Sequence, residues 1–244
     1  MTLYRGFTLN IKNMLTYKQR ALINEFVDFF KFRKVIKGKR CYIDKTAQFI
    51  GKECVVLGNN VCIGMNANIN INGNREDKIK RLFIGDNSYI GRNFFVLTGK
   101  IVKIGDYFMA SPNCSLIGQD HNISNPFFSY LNSKMELTKE IIIEDNVWLG
   151  DNVTVVGNVK IGRGSIIGAK SLVNKDIPPF SIAVGNPCKV IKRFDFAAKK
   201  WVRAEDFNGE KLIPSKEEYV KIVRENSGTP DMPIIAATNR FGGI

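Results

Sequence analysis

The stretch from Ile141 to Pro179, IIIEDNVWLGDNVTVVGNVKIGRGSIIGAKSLVNKDIPP, carries an apolar residue at Ile143, Leu149, Val155, Ile161, Ile167 and Val173, every sixth position without a slip. A small or acidic residue follows most of these markers: Glu144, Gly150, Gly162, Gly168. A helix repeats every 3.6 residues and a half-buried strand every 2, so neither calls for a marker at every sixth place. A coiled β-solenoid with flat sides about six residues long does, because each side turns one residue inward at a fixed place. Working outward, the same spacing recurs in shorter blocks: Leu57, Ile63, Ile69; then Ile84, Ile90, Val96; then Ile104, Ala110, Leu116. The expected fold is an all-β solenoid.

The interruptions are as informative as the repeat. NGNREDKIKR (72–81) reads as a corner loop, and a slip between Val96 and Ile104 is assigned to Gly99. The larger break runs from Asp120 to Glu140 and carries Pro126, Phe127, Phe128 and Tyr130. Long irregular loops inside a compact domain are either functional or disordered, and tight repeats on both sides favour function. At the mouth of this break stands His121, the single histidine of the chain.

Three regions follow. Residues 1–40 form a preface with a short amphipathic helix over Tyr17–Phe30, its apolar face carrying Leu22, Ile23, Phe26, Val27 and Phe30. Residues 41–193 form the solenoid, with the loop at 120–140. Residues 194–244 form an extension in which Ser215 and Glu218 spell a capping box for a helix reaching about Glu225, with Tyr219, Ile222 and Val223 toward the body. Val147, Trp148, Val153 and Val156 add apolar surface beyond the hexad markers. That surplus points to self-association, and a three-sided prism suits three-fold closure.

The chain has 244 residues, 44% of them apolar, and a formal net charge of +13. Six basic residues fall between Lys31 and Arg40. Such a balance suits a phosphorylated cofactor, an anionic glycan or an anionic membrane surface. Nucleic acid is disfavoured, for the sequence has no recognition helix, RNP-like strand or zinc spacing. No apolar run approaches the roughly 18 residues of a membrane span, and the N-terminal residues lack a secretory pattern. The expectation is a cytoplasmic protein with room for peripheral contact at the inner face of a membrane. The five cysteines, Cys41, Cys54, Cys62, Cys114 and Cys188, include no C-x-x-C and read as small buried hydrophobes, with no metal site.

The segments VWLG (147–150), IGAKS (167–171), VNKDIPP (173–179) and GNPCKVIKR (185–193), with DHNI at 120–123, resemble the hexapeptide-repeat acetyltransferases in order and spacing. The likeness covers about Leu57 to Phe194. It is closest to the xenobiotic, galactoside and maltose acetyltransferase branch, which includes capsule and O-antigen O-acetyltransferases. The resemblance implies a left-handed parallel β-helix, a homotrimer with active sites at subunit interfaces, and acetyl-coenzyme A as co-substrate without a metal. By the same resemblance His121 is the catalytic histidine and Trp148 lies at the edge of the catalytic tunnel. Gly150 and Asp151 fall at the thiol end of coenzyme A, and Ala169 lies along the pantetheine arm. Asn174, Lys175, Lys189 and Lys192 fall near the pantetheine and the phosphates. Two features depart from the family: Asp151 stands where a small neutral residue is usual, and the fifty residues after Phe194 exceed the usual short terminal helix.

Acetyl transfer to an alcohol needs a base, because a sugar hydroxyl is a poor nucleophile at neutral pH, and histidine titrates in the right range. Asp120, next to it, is a candidate to orient the ring or to meet the acceptor. The implied reaction is O-acetylation of a saccharide in capsule or lipopolysaccharide assembly. A small acceptor (a streptogramin-type antibiotic, galactoside or amino sugar) and a non-catalytic scaffold stand as alternatives. A zinc hydrase on the same solenoid is excluded because one histidine cannot provide three ligand positions.

Overall fold

A computed structural model describes residues 31–71 and 79–230. The helix expected over Tyr17–Phe30 and most of the 72–81 loop lie outside the described residues. The chain divides into two units at Val35/Ile36, and everything below concerns the second.

That unit is a three-sided parallel coil, a left-handed β-helix. One side stacks Ile36–Lys37, Val55–Leu57, Leu82–Ile84, Ile101–Ile104, Glu140–Ile143 and Val159–Ile161. The second stacks Tyr42–Ile43, Cys62–Ile63, Tyr89–Ile90, Met109–Ala110, Trp148–Leu149, Ile166–Ile167 and Ser181–Val184. The third stacks Gln48–Ile50, Asn68–Asn70, Phe95–Leu97, Ser115–Ile117, Thr154–Val156 and Leu172–Val173. Register follows the hexads: Ile104 pairs with Ile143 and Ile143 with Ile161, while Leu116 pairs with Val155 and Val155 with Val173. Every hexad marker, from Leu57 to Val173, is buried.

Each side turns two residues inward, however, where one was expected. Strand alternation brings positions i and i+2 to one face, so Val147 accompanies Leu149 and Val153 accompanies Val155 in the core. This corrects the reading of Val147 and Val153 as surplus surface; Trp148 and Val156 alone of that set face outward. The earlier inward position sits near a corner and tolerates a hydroxyl. Ser165 and Ser171 are buried there, donating to the Pro178 and Gly168 carbonyls.

The corners explain the recurring Gly-Asp-Asn and its variants. The Asp106 carboxylate accepts the Asp86 backbone N–H at 2.8 Å, and Asp145 accepts that of Asp106 at 2.9 Å. A Cβ on Gly85 would stand 2.4 Å from that Asp106 oxygen, so a side chain there would break the ladder. The next residue enters the left-handed region, as at Asn87 and Asn146, which asparagine tolerates better than most residues.

The excursion leaves the third side after Ile117 and returns to the first at Glu140. Its base is zipped as an antiparallel pair, Asp120–His121 against Met135–Glu136. Gly99 carries no side chain because a Cβ would lie 1.9 Å from the Gly118 carbonyl where the excursion departs. Past the last coil, Lys189–Asp195 turns back antiparallel on Ser181–Val184, and Lys200–Arg203 adds a further antiparallel strand. Helix α1 (Lys216–Ser227) follows with the expected capping box: the Ser215 hydroxyl accepts from the Glu218 N–H, and the Glu218 carboxylate accepts from the Ser215 N–H. Val223 is buried and Tyr219 half-buried as expected, but Ile222 faces outward.

Candidate functional site

His121 ends the first strand of the zipped pair and is exposed. Its Nδ1 lies 3.1 Å from the Ser133 hydroxyl, across the hairpin. That hydroxyl donates to the Tyr130 carbonyl at 2.9 Å. A serine hydroxyl has one proton, so with the proton spent on Tyr130 its oxygen can only accept from the ring. In that arrangement the ring proton sits on Nδ1 and the Nε2 lone pair is free; the reverse roles belong to the other tautomer. The break thus supplies a partner for one ring nitrogen of His121.

Asp120 does not hold the ring. Its side chain pairs with Lys139 Nζ at 2.7 Å, at the other foot of the excursion. The Lys139 hydrogen bond, aided by that charge and by the His121 backbone, holds the Asp120 carboxyl below its ordinary range. Nothing in the sequence singled out Ser133 or Lys139, because contacts across an irregular hairpin leave no periodic trace.

The remaining expected site residues gather elsewhere. Gly150 sits at the corner between the second and third sides, its N–H donated to Ile167 and its carbonyl accepting from the buried Cys114 thiol at 3.1 Å. Its backbone groups are thus occupied, and what it offers is close approach. Asp151 and Ala169 stand exposed at the same corner, one coil apart. Lys189 lies beside this corner, opposite Val184, and Lys192 lies opposite Ile182 on the outer face. Asn174 and Lys175, both exposed, are at the far end of the third side. Lys175, Lys189 and Lys192 have no ion-pair partner among the described residues, as cations kept for a ligand's phosphates would require.

Trp148 lies in an outward row of the second side between Met109 and Ile166, its indole N–H 3.2 Å from the Ser111 hydroxyl. His121 follows the third side, whereas Asp151 precedes it. With about 3.3 Å of rise per strand residue, the imidazole and the Asp151 corner of one chain are roughly 15–20 Å apart. The two thus lie toward opposite ends of the third side.

The structure adds a feature the sequence reading missed. Trp148 forms one wall of a cleft of about 470 Å³ whose other walls come from the extension, through Phe194, Phe196, Trp201 and Tyr219. The aromatic density of FDFAAKKWVRAEDF (194–207) was the available signal.

Residues 140–175 match the bacterial transferase hexapeptide family, six repeats. A candidate acetyltransferase of Schizosaccharomyces pombe is 40% identical over 117 residues, 46% of this chain and 55% of its own. One of Staphylococcus aureus strain MRSA252 is 40% identical over 129 residues, 53% of this chain and 61% of its own. The chain thus spans little more than half the length of these curated relatives. Among solved structures, a variant of AntD, an N-acyltransferase from Bacillus cereus in complex with dTDP and coenzyme A, matches 80% of this chain and 96% of its own at TM-score 0.52 and 17% identity, a likeness of fold. The part of the coil built on the unbroken hexads, residues 140–175, matches the bacterial transferase hexapeptide family, and the chain resembles the hexapeptide-repeat acetyltransferases.

Proposed function

We propose that this chain moves an acetyl group from acetyl-coenzyme A to a hydroxyl of a saccharide, with His121 as general base. The observation that carries the reading is the Ser133 hydroxyl 3.1 Å from His121 Nδ1. With Nδ1–H held by Ser133, Nε2 is free to take the proton of the acceptor hydroxyl as its oxygen bonds to the acetyl carbon. The thioester bond then breaks, and the proton held on Nε2 passes to the departing thiolate, returning the ring to its starting state. The curated relatives' names support acetyl transfer, and the unpaired Lys175, Lys189 and Lys192 suit the donor's phosphates.

The distribution of residues supports a site shared between copies. His121 of one chain would face the Gly150, Asp151 and Ala169 corner of the next, with Trp148 at its edge. The hairpin exposes Phe127 (96%) and Leu131 (87%), more apolar surface than an isolated loop tip needs. A cyclic trimer is the proposed assembly. A saccharide of capsule or O-antigen type is the proposed acceptor class, met in the cytoplasm, with the basic N-terminal run available to an anionic glycan or membrane surface. Among the described residues no helix is long and apolar enough to cross a membrane.

The test is thiol release from acetyl-coenzyme A across a panel of saccharide acceptors. His121→Ala should retain assembly and coenzyme binding while turnover falls about 10²-fold or more, the usual scale for a lost general base. Thiol release at the wild-type rate by this variant would remove the mechanism.

A further inference from the structure

The extension beyond Phe194 builds more than a cap. Tyr219, Phe180, Phe196, Phe194 and Trp201 form a continuous chain of edge-to-face contacts, with centroids 4.7, 4.8, 5.1 and 5.4 Å apart in that order. Rings that brace one another in this way hold their cleft open in advance of any ligand. Opposite them stand the outward side chains Met109, Trp148 and Ile166. Met109 and Trp148 are each 42% exposed, so neither is closed over by the extension.

The lining defines the ligand. None of the residues around the cleft is charged, in a chain of net charge +13. An anionic ligand would find no cation in the lining, which favours a neutral one. Polar capacity is nevertheless present. Asn146 Nδ2 donates to the Tyr219 hydroxyl at 2.6 Å. Among the described residues the Asn146 carbonyl, the Tyr219 proton and the Trp201 indole N–H have no further partner. A hydrocarbon chain would strip water from these groups without replacing it, whereas a sugar ring offers apolar C–H faces to the aromatics and hydroxyls to the polar groups. The cleft volume lies within the roughly 300–1,000 Å³ of small-ligand sites.

We infer that the cleft is a saccharide subsite that holds a neutral pyranose unit by stacking, beside the wall Trp148 contributes to the acceptor site. This rests on the saccharide reading above and adds a place and a chemistry to it.

The two tryptophans of the chain, Trp148 and Trp201, both line the cleft, so intrinsic emission reports on it. The full chain is titrated, without acetyl-coenzyme A, with methyl glycosides of glucose, galactose and N-acetylglucosamine, their β-linked disaccharides, glucuronic acid, adenosine and octanol. A saturable emission shift with a neutral sugar, at least tenfold weaker for glucuronic acid, is expected. His121→Ala should keep the shift, and Trp201→Phe should weaken neutral-sugar binding by calorimetry less than Trp201→Ala does. A response to adenosine or octanol alone, or to none of the probes, overturns the inference. So does emission that changes only on protein dilution, which shows that a second copy covers the cleft. Sugar binding without thiol release would sink the acetyl-transfer reading and leave the cleft standing. Thiol release with an acceptor KM unchanged in a folded Trp201→Ala would sink the cleft and leave the transfer standing.

Discussion

At the scale of single residues, the proposed base, His121, has its Nδ1 against the hydroxyl of Ser133, a residue without any sequence signature. Ser133→Ala should cost about tenfold in kcat, less than removal of the base itself, because the ring then samples both tautomers. Ser133→Thr should recover most of it, and the pH profile of kcat/KM should shift for Ala but not for Thr. An unchanged rate and profile for Ser133→Ala would show that the hairpin holds the ring by other means. The role proposed for Lys189 and Lys192 concerns a different quantity. Charges far from the reacting carbon contribute mainly uniform binding, so Lys189→Glu with Lys192→Glu should raise the KM for acetyl-coenzyme A far more than it lowers kcat. KM values equal to wild type at both low and moderate salt would make them ordinary surface lysines.

At the scale of elements, the hexads were legible because a core-facing side chain must recur wherever a coil of fixed size recurs. His121 at the break and the Ser215–Glu218 cap were legible for similarly local reasons. The second inward residue of each side was not, since Ser165 and Ser171 occupy the same role as Val147 and Val153 and disguise it. The aromatic cleft was hidden too, because it arises from strands 189–195 and 200–203 folding back antiparallel on the coil, a long-range pairing without periodicity. One corner carries a measurable energy. Burial pushes the Glu144 carboxyl up, but hydrogen bonds from Lys160 and the Arg163 backbone, with both charges, outweigh it and hold it below its ordinary range. A folded pKa below the unfolded one stabilises above the unfolded value and is lost as pH falls through the folded value. Glu144→Gln leaves the mostly buried Arg163 with less compensation and should cost about 2–3 kcal/mol at neutral pH. That difference should shrink as acid titrates the wild-type carboxylate, whereas the exposed pair of Lys100 and Glu140 should barely move the midpoint when broken. Denaturant unfolding at neutral and acid pH reads both.

At the scale of the whole molecule, the decisive fact is that His121 and the Asp151 corner lie at opposite ends of the third side. The proposed head-to-tail ring would solve this: the same two surfaces would meet at every interface, and closure would leave none unused. The exposed apolar side chains of the hairpin give such a contact its driving force, about 1.5–3 kcal/mol for each one fully buried. Complementation tests the arrangement directly. His121→Ala removes the base, and Asp151→Arg fills the corner where the thioester end would lie; each homo-oligomer should be nearly inactive. When the two variants are unfolded together in equal amounts and refolded, a site needs His121 from one copy and Asp151 from its neighbour. Random assembly supplies that combination at about a quarter of the interfaces, so activity should return to about a quarter of wild type. Were each site contained within a single chain, the mixture would show no more than the average of the two inactive parents, and the shared-site model would fail even if both variants kept the wild-type assembly by light scattering.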